Sequence, residues 1–427
     1  MTTGKTGFVK IPADVCPPVQ ESSKASFSKK KIKMISVSEA KALVIQHVSR
    51  LAPRTIPLEK ANGLVLAEDL HATQDIPAYP QSSMDGYAYA HDGLLRHGSL
   101  DVSVVVAAGS EENPRLLPHQ AARIFTGAPV PEGADTIVMQ EKCMVKDGKL
   151  NLTHPLPVKG ENLRPMGSEI RKGNIALESG DRITPAGIGL IAGIGVAEVF
   201  AYPLPLVGII VTGNELQAPG NPLRHGQVYE SNSATLKAVL RQVGIDEVSV
   251  FRSHDDPVAL TTLLEKVLDS HDMVLLTGGI SVGDFDHVLH ATEACGVKKI
   301  FHRIRQKPGK PLYFGMLGNK PVFGLPGNPA SVLTCFYEYV ALALARICER
   351  DSPVMVCQMP VAAGYRKPAG STHFLKGRHH NGTVTIMDAQ ESYRLRSFAR
   401  ANGLVVLDEG TTELSAGDLV EVHVFPT

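Results

Sequence analysis

Met273-Val274-Leu275-Leu276-Thr277-Gly278-Gly279-Ile280-Ser281-Val282-Gly283-Asp284-Phe285-Asp286 is the stretch on which the fold turns. Four apolar residues and a threonine run without a charged break, as in a strand buried on both faces. Two glycines end the run at once, and a third precedes a pair of aspartates. Glycine lets backbone approach a ligand closely, and carboxylates at a strand end are hard oxygen donors.

Outward from this stretch the same texture recurs. An apolar strand at 206–211 leads into Thr212-Gly213-Asn214-Glu215, and a strand near 321–325 runs into Pro326-Gly327-Asn328-Pro329-Ala330-Ser331, which opens a helix. Between them lie a helix at 234–243, with Leu236, Val239, Leu240 and Val243 on one face, and a strand at 248–251. Asp256-Pro257 then supplies an N-cap and first helical residue, and a helix near 286–295 and a strand near 299–304 follow. Such alternation predicts a parallel-rich sheet covered by helices over 205–350, with ligands at the carboxyl ends of its strands.

The flanks read differently. Residues 1–33 are polar and Ser/Lys-rich and are expected to be a disordered extension. Ser36 and Glu39 have capping-box spacing, and Ala40, Leu43, Val44, His47, Val48 and Leu51 recur at helical spacing, with His47 read as packed. Residues 54–171 are short strand-like runs broken by Gly and Pro, including an Asp147-Gly148 hairpin pair. Residues 34–53 and 172–204 read as a small helical/β linking domain. Residues 351–427, with Asn381-Gly382 and an alternating end, read as a small β-barrel. The expectation is a multidomain α/β and β chain.

Its 427 residues are 43% hydrophobic, with 43 basic against 43 acidic side chains and no net charge. No global positive field exists to hold nucleic acid or an anionic membrane, so local clusters must hold any anion. The most apolar window, 332–348, contains Glu338 and Arg346, and no signal peptide is visible. Six scattered cysteines without a CxxC pair fit a reduced, cytoplasmic protein.

Three glycine-bearing loops on one domain, two of them with acidic residues, point to an anion-and-metal site. Arg303, Lys307 and Lys310 are the basic complement, able to give charge-assisted hydrogen bonds to a pyrophosphate or oxyanion. Glu215 and Asp286 suit Mg²⁺, which takes carboxylates, phosphate oxygens and waters. Gly187-Ile188-Gly189 imitates a dinucleotide fingerprint but lies in a helix started by Thr184-Pro185. Asp284, Asp286, His287 and His290 imitate a zinc cluster without a further nitrogen or sulfur ligand.

Six motifs occur in order: Ser83-Met84-Asp85-Gly86-Tyr87-Ala88, the run from Thr126-Gly127-Ala128-Pro129 to Asp135, Thr212-Gly213-Asn214-Glu215-Leu216, Gly278-Gly279-Ile280-Ser281-Val282-Gly283, Lys307-Pro308-Gly309-Lys310-Pro311 and Gly324-Leu325-Pro326-Gly327-Asn328-Pro329. Together they make residues 34–427 resemble the molybdopterin molybdenumtransferase (MoeA) family, which is similar to the C-terminal domain of gephyrin. The resemblance implies a molybdopterin-binding α/β domain, a β-rich insert, a linking domain and a C-terminal β-barrel. It implies insertion of molybdenum from molybdate into adenylylated molybdopterin, with Mg²⁺-dependent release of AMP.

By the same resemblance, Glu215, Asp255 and Asp286 belong to the nucleotide and metal side, with Glu215 and Asp286 as metal ligands. Arg303, Lys307, Lys310, Pro326, Pro329 and Ser331 line the anion pocket, beside Gly278, Gly279, Ser281 and Asn328. Asp85, Thr126 and Glu169 come from the β-rich domain and reach the site of a homodimer partner. Ser392 is the C-terminal candidate. Molybdopterin adenylyltransferase and acceptor molybdoenzymes are the further partners expected. The chain departs from the family pattern at Asn214 and Glu169, where Asp is common, and at Arg303, where Lys is common. An adenylyltransferase reading is disfavoured because Gly278-Gly279-Ile280-Ser281 breaks that enzyme's GGTG loop. A gephyrin-like scaffold would carry a further domain and long linker.

Overall fold

The computed structural model describes residues 34–152, 155–279 and 287–426. The extension at 1–33 and the loop residues Ile280 to Asp286, including Ser281, Asp284 and Asp286, lie outside them.

The six-stranded central sheet consists of β1 (Val207–Thr212), β2 (Val248–Ser253), β3 (Met273–Thr277), β4 (Lys298–Arg303), β5 (Pro311–Leu317) and β6 (Lys320–Leu325). Their spatial order is β2-β1-β3-β6-β5-β4. β2, β1, β3 and β6 pair in parallel, whereas β5 runs antiparallel to β6 and β4. The parallel-rich sheet is therefore present, and it holds one strand, β5, that the sequence pattern does not announce. Its first residue, Pro311, closes a proline- and glycine-rich loop, which hides the strand. The Gly318-Asn319 pair between two apolar runs is the hairpin signal that could have revealed it.

Successive side chains of β1 and β3 enter opposite cores. Ile209, Val211, Met273 and Leu275 pack on one face with the long helix Pro329–Ile347, while Ile210, Val274 and Leu276 pack on the other with Leu260, Leu264, Val267 and Leu268. With both faces covered, the strands are apolar throughout, so their pattern is continuous and not alternating. The long helix could cross a membrane by length and composition, yet it is 89% buried as the core helix of this domain. Ser36 accepts from the Glu39 amide at 3.1 Å to cap the helix Val37–His47, whose Ala40 and Val44 join the same core.

The linking sheet joins Arg54–Pro57, Glu198–Tyr202 and Val65–Leu66. Residues 54–66, which change to strand-like texture and so read with the β-rich stretch, pair here across most of the insert. The helix Val37–His47, read with the linking domain, packs on the α/β core. Neither placement is legible locally, because strand pairing and helix docking are long-range choices. The insert carries a six-stranded mixed sheet, in which Leu100–Val106 and Gln120–Ile124 are parallel. In the C-terminal domain, Thr372–His380, Gly403–Leu407, Leu419–Val424 and Met355–Pro360 pair in sequence across the sheet. Thr383–Ile386 pairs with Thr372–His380, and a Val361–Val384 bridge brings the two ends together around Leu375, Val405, Val420 and Val422.

Candidate active site

In a sheet of this order the chain leaves β1 for β2 and returns to β3, so a crevice opens between the carboxyl ends of β1 and β3. Thr212-Gly213 and Thr277-Gly278 meet there. A Cβ on Gly278 would stand 2.2 Å from the Thr212 carbonyl, and one on Gly279 would stand 2.9 Å from Thr212 Oγ1. Both glycines are required by that approach, and both have positive φ. β6 lies beside β3, so Pro326-Gly327 closes the same edge. Asn232 ties the loops together, its Nδ2 donating to Thr277 Oγ1 at 3.0 Å and to the Gly327 carbonyl at 2.9 Å. Sequence reasoning missed Asn232, because it looks like an ordinary residue at a helix start.

Glu215 is exposed beyond β1. Asn214 and Asp255 make a reciprocal pair: the Asn214 amide donates to Asp255 Oδ2, and the Asp255 amide donates to Asn214 Oδ1, both at 3.2 Å. This brings Asp255 to the end of β1, and it gives Asn214 a neutral acceptor where an aspartate would face a second carboxylate. Thr212 Oγ1 and Asn232 Oδ1 are buried without a hydrogen-bond partner among the described residues. Carboxylates and unpaired hydroxyl and amide oxygens are donor types that fit a hard divalent cation such as Mg²⁺. No cluster of three or more His, Cys, Asp or Glu able to hold a metal occurs among the described residues.

β4 ends at the same edge, and the chain returns into β5 through the lysine loop. Gln306 is buried and organises that loop, with Nε2 donating to the carbonyls of Pro308 at 3.2 Å and Gly309 at 3.1 Å. Its Oε1 accepts from the Tyr339 hydroxyl of the long helix. Gly309 sits so close that a Cβ would meet Cys335 Sγ at 2.5 Å. With the loop's interior occupied by Gln306, Lys307 and Lys310 are left exposed.

Both lysines line a cavity of about 490 Å³ with Pro326, Asn328, Ser331 and Ser392. Ser392 arrives from the C-terminal domain. Lys376 is buried and directs Nζ at the carbonyls of Ala389 (2.6 Å), Arg394 (3.1 Å) and Glu391 (3.3 Å), which shapes the loop bearing Ser392. The Ala330 amide, in the first turn of the long helix, donates to the Ser392 carbonyl at 3.1 Å. Burial pushes the His373 imidazole down to about 4, with the Lys367 and Lys307 charges adding to the effect. His373 is therefore neutral at neutral pH.

Arg303 is not among the lining residues. It ends β4 with Nε buried, and Arg305 lines the cavity instead, bound to Glu409 at 3.0 Å. Pro329 is the first residue of the long helix. Asp85 and Thr126 do meet, within the insert: Thr126 donates its amide and its hydroxyl to Asp85 Oδ1, each at 2.8 Å. These bonds hold the Asp85 carboxyl below its usual range. Glu169 lines a separate cavity with Arg171 and Asn174. None of these three lines the lysine cavity of its own chain.

The family models of the MoeA N-terminal region (domains I and II), a probable molybdopterin-binding domain, and the MoeA C-terminal region (domain IV) match residues 35–195, 208–346 and 358–425. A molybdopterin molybdenumtransferase of Haemophilus influenzae is 30% identical over 401 residues, covering 92% of this chain and 99% of that protein. Molybdopterin molybdenumtransferase 2 of Mycobacterium tuberculosis is 33% identical over 404 residues, covering 91% and 99%.

The chain belongs to the molybdopterin molybdenumtransferase (MoeA) family.

The crystal structure of a molybdopterin biosynthesis MoeA protein from Pyrococcus horikoshii superposes with a TM-score of 0.77 at 28% identity, over 92% of this chain and 100% of that one. As in the family models, the MoeA regions flank the molybdopterin-binding type domain, and the lysine cavity lies where that domain meets the C-terminal one. Membership agrees with the order of the six sequence motifs and with the multidomain fold.

Proposed function

We propose that this chain inserts molybdenum from molybdate into adenylylated molybdopterin and releases AMP. The observation that carries this reading is the convergence of Lys307, Lys310, Ser331 and Ser392 on one cavity beside the glycine loops. Membership in a family whose curated members are named molybdopterin molybdenumtransferase makes the chain a transferase of molybdenum cofactor synthesis. The finer chemistry rests on the residues.

Two anionic substrates must be brought together in a chain with no net charge. Lys307 and Lys310 offset the charge of an oxyanion, and the Ser331 and Ser392 hydroxyls can donate to its oxygens. Gly278, Gly279 and Gly327 leave room for the pterin phosphate to approach backbone at the ends of β3 and β6. Glu215 and Asp286 would hold Mg²⁺, and Asp255, Thr212 Oγ1 and Asn232 Oδ1 are further oxygen donors. The cation's contribution when bound is to polarise a phosphoanhydride. This chain's part is to orient the adenylate, to offset charge as AMP leaves, and to keep molybdate beside the freed dithiolene. The substrate's own sulfurs take the metal, which agrees with cysteines scattered through the chain.

Asp85 and Thr126 fit a composite site in a homodimer. Thr126 occupies one oxygen of Asp85 and leaves the other for a ligand, which then comes from the partner's α/β domain. Cytoplasmic location and exchange with an adenylyltransferase and acceptor molybdoenzymes complete the reading. The test is AMP release from adenylylated molybdopterin with and without molybdate and Mg²⁺. Wild type releases AMP when both are supplied, and Lys307→Ala with Lys310→Ala does not. Molybdate-independent release unaffected by the lysine changes would overturn the reading.

A further inference from the structure

A second basic cavity, of about 970 Å³, opens between the linking sheet and the end of the long helix, away from the lysine loop. Arg182 comes from the linking side, and Arg350 follows the long helix. Arg182 Nη2 lies 3.6 Å, and Arg350 Nη2 lies 3.7 Å, from the point where a side chain on Gly63 would begin. Arg350 Nη1 lies 3.5 Å from the equivalent point on Gly244. Both glycines have positive φ, and the nearest atoms from elsewhere in the chain to either point belong to guanidinium groups. Two cations from separate parts of the chain thus share one space.

Their charges are not matched. Arg182 and Arg350 make no ion pair among the described residues, and Arg350 Nε is buried without a hydrogen-bond partner. Of the carboxylates nearby, Glu349 pairs with Arg50 at 3.7 Å and Asp246 with Arg241 at 3.4 Å, while Asp351 lines the cavity and pairs with neither arginine among the described residues. Arg346 adds positive charge to the same wall. Burial and the adjacent Arg182 charge both work against the Arg350 cation, so its guanidinium sits below its usual value. An unpaired, partly buried guanidinium is costly, and a bound anion would relieve that cost.

We propose that Arg182 and Arg350 form a binding site for a tetrahedral oxyanion, free or as a phosphate monoester, at the junction of the linking and α/β domains. Planar guanidinium forks from two sides match phosphate oxygens, and the spacing lets one anion bridge both. Bridging would fasten the linking sheet, which carries the insert, to the end of the core helix. The site needs no other ligand chemistry, and it stands apart from the reading given above for the lysine cavity.

The test uses the full chain with Lys307→Ala and Lys310→Ala, so that the lysine loop cannot report. Inorganic phosphate, titrated by calorimetry and thermal melting against chloride of equal ionic strength, is expected to bind and raise Tm. Arg182→Met and Arg350→Met should each weaken that binding at least about tenfold. Without phosphate, Arg350→Met should raise Tm, because it removes an unpaired charge; a purely structural Arg350 would lower it. Arg182 is exposed, so Arg182→Met keeps the test open if Arg350→Met fails to fold. Glycerol phosphate binding tighter than phosphate assigns the site to a monoester, and the reverse order assigns it to the free oxyanion. Neither ligand binding, or both arginine variants binding as the parent does, overturns the proposal.

Discussion

Asn328 donates through Nδ2 to Ser392 Oγ at 3.0 Å, joining the N-cap of the long helix to the C-terminal domain across the lysine cavity. Ser392 also accepts from the Ala330 amide through its own carbonyl, so its backbone is held independently of its side chain. Ser392→Ala should therefore cost about 1 kcal/mol of stability or less. It should raise the apparent KM for molybdate about three- to tenfold, because the cavity loses a hydroxyl donor and Asn328 loses its partner. Steady-state AMP release against molybdate concentration, with a melting curve on the same protein, checks both halves.

Gly278→Ala is expected to be severe. Its methyl would lie 2.2 Å from a backbone carbonyl of β1, and φ is +89°. The neighbour is backbone in a paired strand, so it has little freedom to withdraw. A loss of more than about 2 kcal/mol, read by denaturant unfolding, is expected. By contrast, Gly220→Ala has open space at its Cβ and should lose only the part due to its positive φ.

Acid sensitivity should trace to Glu338. Burial alone would push its carboxyl up, but the His423 hydrogen bond at 2.7 Å and the Lys41 charge outweigh burial and hold it below the usual range. A carboxyl lowered on folding contributes stability above its unfolded value, near 4.5, and loses it as pH falls through the lower folded value. Glu338→Gln should be less stable by roughly 3 kcal/mol at pH 7, with a flatter stability profile below about pH 4.5. The network joins the helix Val37–His47, the long helix and the strand Leu419–Val424, so the loss should appear in unfolding of the whole unit. Denaturant titrations from pH 3 to 7 on both proteins measure it.

Local signals placed much of this architecture. Asp256 does cap its helix, accepting from the Ala259 amide at 2.6 Å, and Thr184 caps the helix that imitates a dinucleotide loop. Asp147-Gly148 and Asn381-Gly382 both turn hairpins with positive φ at each residue. These features depend on neighbours in sequence. What escaped depends on neighbours in space. Gln306 looks like any loop residue until Tyr339, 33 positions later, is seen to hold its carbonyl oxygen. Asn232 gains its role only because β1, β3 and β6 end side by side. Arg303 and Arg305 are equally basic on paper; β4 ends at Arg303, and only the chain's passage into the parallel pairing of Gln306 with Thr372 leaves Arg305 on the cavity wall.

The strongest test of the composite site is complementation between subunits. Asp85 and Thr126 form their pair in the insert, and neither lines the lysine cavity of its own chain. If a homodimer joins one chain's insert to the other's α/β domain, two inactive chains can repair each other. Glu215→Gln damages the α/β half, and Asp85→Ala damages the insert half. In a mixed dimer one site collects both lesions and the other receives neither. Random pairing makes about half the dimers mixed, each with one intact site of two, so about a quarter of wild-type AMP release should return. A site built within one chain would give only singly damaged sites and no recovery. Refolding the two variants together, with exchange verified by differently tagged chains, separates these outcomes. An inactive mixture containing mixed dimers would place the whole site within one chain.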